Sequence, residues 1–196
     1  MTSSSSPPLE RGLDTIILVY YLLQGHPASL PCEQFLRSHS GWFTSPLVLV
    51  EARNVLTKVY SVDPGTVTTK LIQFAAGPVV LLPLDDRTLT EALQLANAQA
   101  LDLTDAVLLH QCRQVGAGFL ATDDQRLAAG CTALGIAPAS PLHPGLRQQV
   151  VAWELTNLRP KGLPRVLHRV HQWLGQAHPR AAQDFWSQTR GGSQLP

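Results

Sequence analysis

Four places in this 196-residue chain set carboxylates among apolar residues. Asp14 stands in GLDTIILVYY, Glu51 in SPLVLVEARNVL, Asp105 in LTDAVLL, and Asp123 with Asp124 in GFLATDDQRLA. Taken singly, most have a local explanation. An Asp in the first helical turn complements the macrodipole by ~0.3–1 kcal/mol. Asp102 and Asp105 suit a capping arrangement, and Asp123 suits an N-cap after Thr122. Glu51 is different: a carboxylate between Val48 and Val55 is costly unless satisfied. Lys58 is too far along a helix to pair with it, and Arg53 points elsewhere. Brought together, the acids repel unless cations neutralise them. Oxygen-only donors select hard ions such as Mg²⁺ or Mn²⁺. One or two such ions are what metal-assisted phosphoryl chemistry requires.

The elements that would position these acids alternate. GLD closes a short first strand, and TIILVYYLLQG is a helix stopped at Gly25, His26 and Pro27. LPCEQFLRS is a second short helix, and GWFTSP reads as a break. Thr44 and Ser45 can cap a helix that Pro46 opens, running through LVLVEARNVLTKVY. TVTTKLIQFAA is a weaker helix. PVVLLPL reads as a buried parallel strand. TLTEALQLANAQA and LTDAVLLHQCRQVGA are helices, the second with a Thr cap. GFLAT is a strand, DDQRLAAGCTALG a helix, and GIAPAS a last short strand. This order predicts an α/β domain with a mainly parallel sheet. In such a sheet, strand C-termini and the helix starts that follow them share one edge. Asp14, Asp105 and the Asp123–Asp124 pair should therefore converge. Glu51 joins them if its helix packs beside the first strand.

LDT at Asp14, SPLVLVEARNVL around Glu51, LTDAVLL at Asp105 and FLATDDQRLA in this order resemble the PIN-domain family, in particular VapC-type toxin ribonucleases. The resemblance covers residues 11 to 140. It implies a three-layer α/β/α sandwich around a mainly parallel sheet, and Mg²⁺- or Mn²⁺-dependent cleavage of RNA. Asp14, Glu51 and Asp105 would hold the principal ion. Asp124, or its neighbour Asp123, would hold a second ion or orient the attacking water. In-line attack would then leave a 3′-hydroxyl and a 5′-phosphate. A cognate antitoxin and a two-fold homodimer are also implied. The family usually carries Asn or Ser two residues after the first Asp, where this chain has Ile16. The alternative reading is a non-catalytic module of the same fold that binds RNA or protein.

Composition limits the remaining classes. With 44% hydrophobic and 15% charged residues, the chain has a globular composition. The longest apolar run, Ile16 to Leu23, is too short for a bilayer, so no membrane association is expected. MTSSSSPPLE has neither a basic n-region nor an apolar h-region, and residues 1–10 read as a disordered tail. Cys32, Cys112 and Cys131 form no CxxC pair, which suits reduced thiols and a cytoplasmic protein. No GxSxG elbow, P-loop or GxGxxG fingerprint is present.

The net charge of +1 conceals an asymmetry. Residues 11–141 read as the nuclease-like domain and 142–196 as a basic helical extension. Arg147, Arg159, Lys161, Arg165, Arg169, Arg180 and Arg190 against Glu154 and Asp184 give the extension +5, and the rest of the chain carries −4. Such a segment suits a polyanion or an acidic protein surface. VVAWELTNL and LPRVLHRVHQWLGQA have helical spacing, and Trp153, Trp173 and Trp186 suit packing better than base stacking. His168 and His171 lie one turn apart without a third metal ligand in the sequence nearby. Leu30, Phe35 and Trp42 lie in short elements that could leave an exposed apolar patch for a dimer.

Overall fold

The computed structural model describes residues 8–158 and 165–191. Arg159 and Lys161 lie outside the described residues, as do the side chains of Arg165, His168, Arg169, Trp186 and Arg190. The chain divides into two compact units, residues 1–151 and 152–196.

In the first unit β1 (Arg11–Leu13) leads into α1 (Thr15–Leu22) and α2 (Ser29–Arg37). Then come β2 (Trp42–Thr44), α3 (Pro46–Lys58), α4 (Pro64–Ala75) and β3 (Val80–Leu81). The chain continues through α5 (Asp86–Gln99), α6 (Leu103–Val115), β4 (Phe119–Ala121), α7 (Gln125–Ala133) and β5 (Ala137–Ala139). Helix α8 (Pro144–Asn157) runs across the boundary between the units.

Among the described residues the sheet has five strands, all parallel, in the order β3-β2-β1-β4-β5. The chain builds outward from β1 through β2 to β3, then returns to place β4 on the other side of β1. The junction of β1 and β4 is therefore the topological switch point, where right-handed crossovers send helices to opposite faces and leave a crevice at the strand C-termini. Helix α1 packs on α2 and α3, and α3 on α4, whereas α6 packs on α5 and α7. The architecture is the expected α/β/α sandwich. Its core runs through Leu13, Ile17, Leu18, Phe43, Leu108 and Leu120, all fully buried.

Local chemistry explains the starts of the key helices. Ser45 caps α3, its hydroxyl accepting from the Leu47 N–H at 3.3 Å, and Pro46 occupies the first turn. Val48, Ala52 and Leu56 form the buried stripe of that helix.

Four local expectations need correction. GWFTSP is not simply a break, because it contains β2, and Trp42, Phe43 and Thr44 are all buried. PVVLLPL yields only the two-residue edge strand β3, with Val80 43% exposed. Pro83 ends the ladder there, since proline has no N–H to donate. Helix α6 starts after Asp102 rather than at a Thr cap. The expected patch of Leu30, Phe35 and Trp42 is also not continuous. Trp42 is buried and packs with Phe35 and Phe119, leaving Leu30 as the exposed member.

Cys32, Cys112 and Cys131 are buried free thiols. Among the described residues no helix is long and apolar enough to cross a membrane. In the second unit α9 (Arg165–Ala177) packs on α10 (Pro179–Gly191). The ring of His171 stacks on Phe185 at 6.4 Å, and Ala182 is buried. Periodicity in the sequence predicts no counterpart to α10, whose apolar positions are few.

Candidate active site

The site begins with the ends of two neighbouring strands. Asp14 follows β1 and caps α1, accepting from the Thr15 N–H. Its backbone N–H continues the ladder to the Ala121 carbonyl at 3.0 Å. Thr122, just after β4, donates its hydroxyl to Asp14 Oδ2 at 2.7 Å. The same hydroxyl oxygen accepts from the Asp124 N–H at 3.0 Å. One threonine thus ties the two strand ends together. Asp124 caps α7, its Oδ1 accepting from the N–H groups of Arg126 (2.7 Å) and Leu127 (3.0 Å).

Glu51 arrives on α3, which packs on α1 as convergence of the acids requires. The Thr15 hydroxyl donates to Glu51 Oε2 at 2.7 Å. Thr15 therefore serves Asp14 with its N–H and Glu51 with its hydroxyl. Asp105 comes from the first turn of α6.

These side chains line one cavity of about 310 Å³. Asp14, Thr15, Glu51, Asp102, Asp105, Asp123 and Asp124 form its polar lining, and Ile16, Val19, Tyr20 and Val55 its apolar part. Among the described residues no lysine or arginine lines it. Burial pushes Asp14 up to about 6, against the lowering effect of the bonds from Thr122 and Thr15 and with added repulsion from Glu51 and Asp124. Asp105 is pushed up to about 7, first by burial and then by the charges of Asp14, Asp124, Glu51 and Asp102.

Asp123 is differently placed. Its Oδ1 accepts from Arg147 on α8 at 2.6 and 2.9 Å and from the Ser140 hydroxyl at 2.8 Å. It lines the cavity with that oxygen already engaged.

Asp14, Glu51, Asp105, Asp123 and Asp124, the acids singled out by sequence, thus reach one cavity. Thr15, Thr122 and Asp102 are further participants. Their signal in the sequence is faint: a threonine directly after Asp14, another two residues before Asp124, and an acid three residues before Asp105.

The donor set can be tested against a metal ion. Its charged donors are carboxylates, and burial with mutual repulsion raises the proton affinity of Asp14 and Asp105, a condition that a divalent cation relieves. Among the described residues no three His, Cys, Asp or Glu side chains already stand in ligating positions around one point. An ion such as Mg²⁺, which keeps several waters and uses one or two carboxylates, fits the arrangement.

The fold and the site define a class. The PIN domain profile matches residues 13–131, more than half of the chain, and the chain belongs to the PIN-domain family. No curated protein matches the sequence significantly. Among solved structures, VapC20 of Mycobacterium tuberculosis, a toxin that cleaves the sarcin-ricin loop, is similar with TM-score 0.54 and 18% identity. The match covers 62% of this chain and 95% of VapC20. PAE2754 of Pyrobaculum aerophilum is similar with TM-score 0.51 and 18% identity, over 76% of this chain and 96% of that one. A chain from a toxin–antitoxin complex of Klebsiella pneumoniae is similar with TM-score 0.50 and 18% identity, over 68% and 99%. At this identity the likenesses establish the fold.

Proposed function

We propose that this protein is a Mg²⁺- or Mn²⁺-dependent endoribonuclease and the toxin of a toxin–antitoxin pair. The observation that carries the reading is the single cavity at the switch point, lined by acids from four separate segments and, among the described residues, by no lysine or arginine. Asp14, Glu51 and Asp105 would hold the principal ion, and Asp124 would complete the set. Asp123 is the less suited candidate for the fourth position, because the guanidinium of Arg147 already neutralises its charge, whereas Asp124 is met only by backbone N–H groups and carries no ion pair among the described residues. When bound, the ion supplies Lewis acidity toward the phosphate and lowers the pKa of a coordinated water. Thr15 fixes Glu51, Thr122 fixes Asp14, and the apolar side of the cavity limits the solvent around them.

The names of two structural neighbours, an RNA-loop-cleaving toxin and a toxin–antitoxin complex, support RNA as substrate and an antitoxin protein as partner. A cytoplasmic homodimer belongs to the same proposal. Residues 11–141 carry all the acids of the proposed chemistry, and residues 142–196 carry the basic surplus.

The test is cleavage of single-stranded RNA with Mn²⁺, by the wild type and by Asp14→Asn. Cleavage that chelation stops and that the substitution abolishes supports the nuclease. Equal activity in both proteins overturns the assignment. RNA binding without any cleavage returns the non-catalytic module. Light scattering at micromolar concentration tests the dimer, and a monomer mass overturns it.

A further inference from the structure

We propose that Arg126 grips the phosphate next to the one being cut, so that the RNA strand leaves the acidic cavity past the start of α7. The inference rests on the nuclease reading above and names a substrate-binding residue for it. The need arises from charge. The cavity lining holds Asp14, Glu51, Asp102, Asp105, Asp123 and Asp124, and a flanking phosphate would meet this field without the relief the reacting phosphate receives.

The surface answers that need on one side. A second recess of about 280 Å³ shares Asp102, Asp105 and Asp124 with the acidic cavity and adds Leu101, Gln125 and Arg126. A third, of about 610 Å³, shares Arg126 and is lined also by Gln99, Ala100, Ala129, Gly130 and Ala133. The three therefore follow one another, and Arg126 is the cation at the junction of the last two.

Its guanidinium is also uncommitted. Arg126 is exposed, and among the described residues its side chain makes no ion pair or hydrogen bond. Arg147, by contrast, is held by Asp123 at 2.6 Å, and Arg87 by Glu91 at 2.8 Å. The backbone N–H groups at the start of α7 are already used by Asp124, so the helix end itself offers an anion little. The planar guanidinium fork is what matches a phosphate bidentately.

The experiment compares the full chain with Arg126→Ala and Arg126→Lys, using a fluorescent single-stranded RNA of a dozen nucleotides. Cleavage with Mn²⁺ yields KM and kcat. Anisotropy without metal yields affinity across a salt series. Arg126→Ala should raise KM and the dissociation constant by about ten- to a hundredfold, with the loss falling on KM rather than kcat. The slope of log K against log salt should become shallower by about 0.7, one phosphate contact. Arg126→Lys should restore the slope and part of the affinity. On a dinucleotide, which has no neighbouring phosphate, the penalty should vanish. Unchanged KM and salt slope in Arg126→Ala overturn the proposal, as does an equal penalty on the dinucleotide. If the wild type does not cleave at all, the nuclease reading fails, and the salt series still decides whether Arg126 holds RNA.

Discussion

Burial holds Asp14 at about 6 and Asp105 at about 7, both far above the ordinary value of 3.8. The folded protein therefore binds these protons more tightly than the unfolded chain. Their contribution to stability is complete below about pH 4 and is lost as pH rises through 6 and 7. Metal-free protein should accordingly resist denaturant better at pH 5 than at pH 8. Asp14→Asn should flatten that dependence. It should also raise stability at pH 8 by at most roughly 3 kcal/mol, a tenfold change in proton affinity being worth about 1.4 kcal/mol. The same substitution should reduce cleavage at least a hundredfold. Urea titrations at the two pH values check the first outcome, and initial rates the second. Adding Mg²⁺ at pH 8 should raise the melting temperature of the wild type more than that of Asp14→Asn. Thr122→Val should act in the opposite sense on titration. It removes a hydrogen bond that lowers the Asp14 pKa, so the acid limb of the pH–rate profile should move to higher pH.

Three contacts between elements hold the cavity in shape. Strands β1 and β4 approach closely at Gly12, where a Cβ would lie 2.6 Å from Leu120 Cδ1 and 2.8 Å from Cys112 Sγ. Gly12→Ala should therefore cost about 1–3 kcal/mol by overpacking, read as a fall in denaturation midpoint. The clasp of Asp123 by Arg147 and Ser140 ties the loop after β4 to α8. Asp124 is the next residue along. Arg147→Ala should lower kcat several-fold through looser placement of Asp124, with KM changing less. Thr15 joins α1 to α3 through Glu51 across 36 residues. Thr15→Val should release Glu51 and lower metal affinity, measured by calorimetry.

At the scale of the whole chain, α8 and the residues leading into it contribute to the first unit's core. Leu142, Leu146 and Val150 are buried there with the sheet's own residues. Burying each is worth about 1.5–3 kcal/mol, against a typical total stability of roughly 5–15 kcal/mol. Truncation after residue 141 should yield an aggregation-prone protein with a much lower melting temperature. Truncation after residue 158 should keep the first unit folded, as circular dichroism and thermal melts would show. The second truncation also removes the basic surplus, since Arg147 and Glu154 cancel in what remains of the extension. If that segment binds RNA, affinity and its salt dependence should both fall while the fold persists.

Sequence by itself determined the kinds and order of the acids, the alternation of strands and helices, and hence the parallel α/β class. Those properties are written locally, in runs such as GFLAT and in stops such as Gly25–His26–Pro27. The convergence of Asp14 and Asp124 followed from the class alone, because parallel strands bring their C-termini to one edge; Asp105, on a helix that follows another helix, is placed by the packing of α6 on α5 and α7. Tertiary structure decided what depends on distant partners. Strand β2 is three residues long and exists because β1 and β3 pair with it. PVVLLPL became a short edge because no strand covers its outer side among the described residues. Asp123 and Asp124 are chemically identical neighbours, and tertiary contacts set them apart: Arg147, twenty-four residues on, and Ser140 hold the first, while the start of α7 holds the second. Glu51, a costly mid-helix charge in the sequence, found its partner in Thr15 once α3 lay against α1. A buried carboxylate must be satisfied, but the chain that satisfies it is chosen by packing, which no local pattern records.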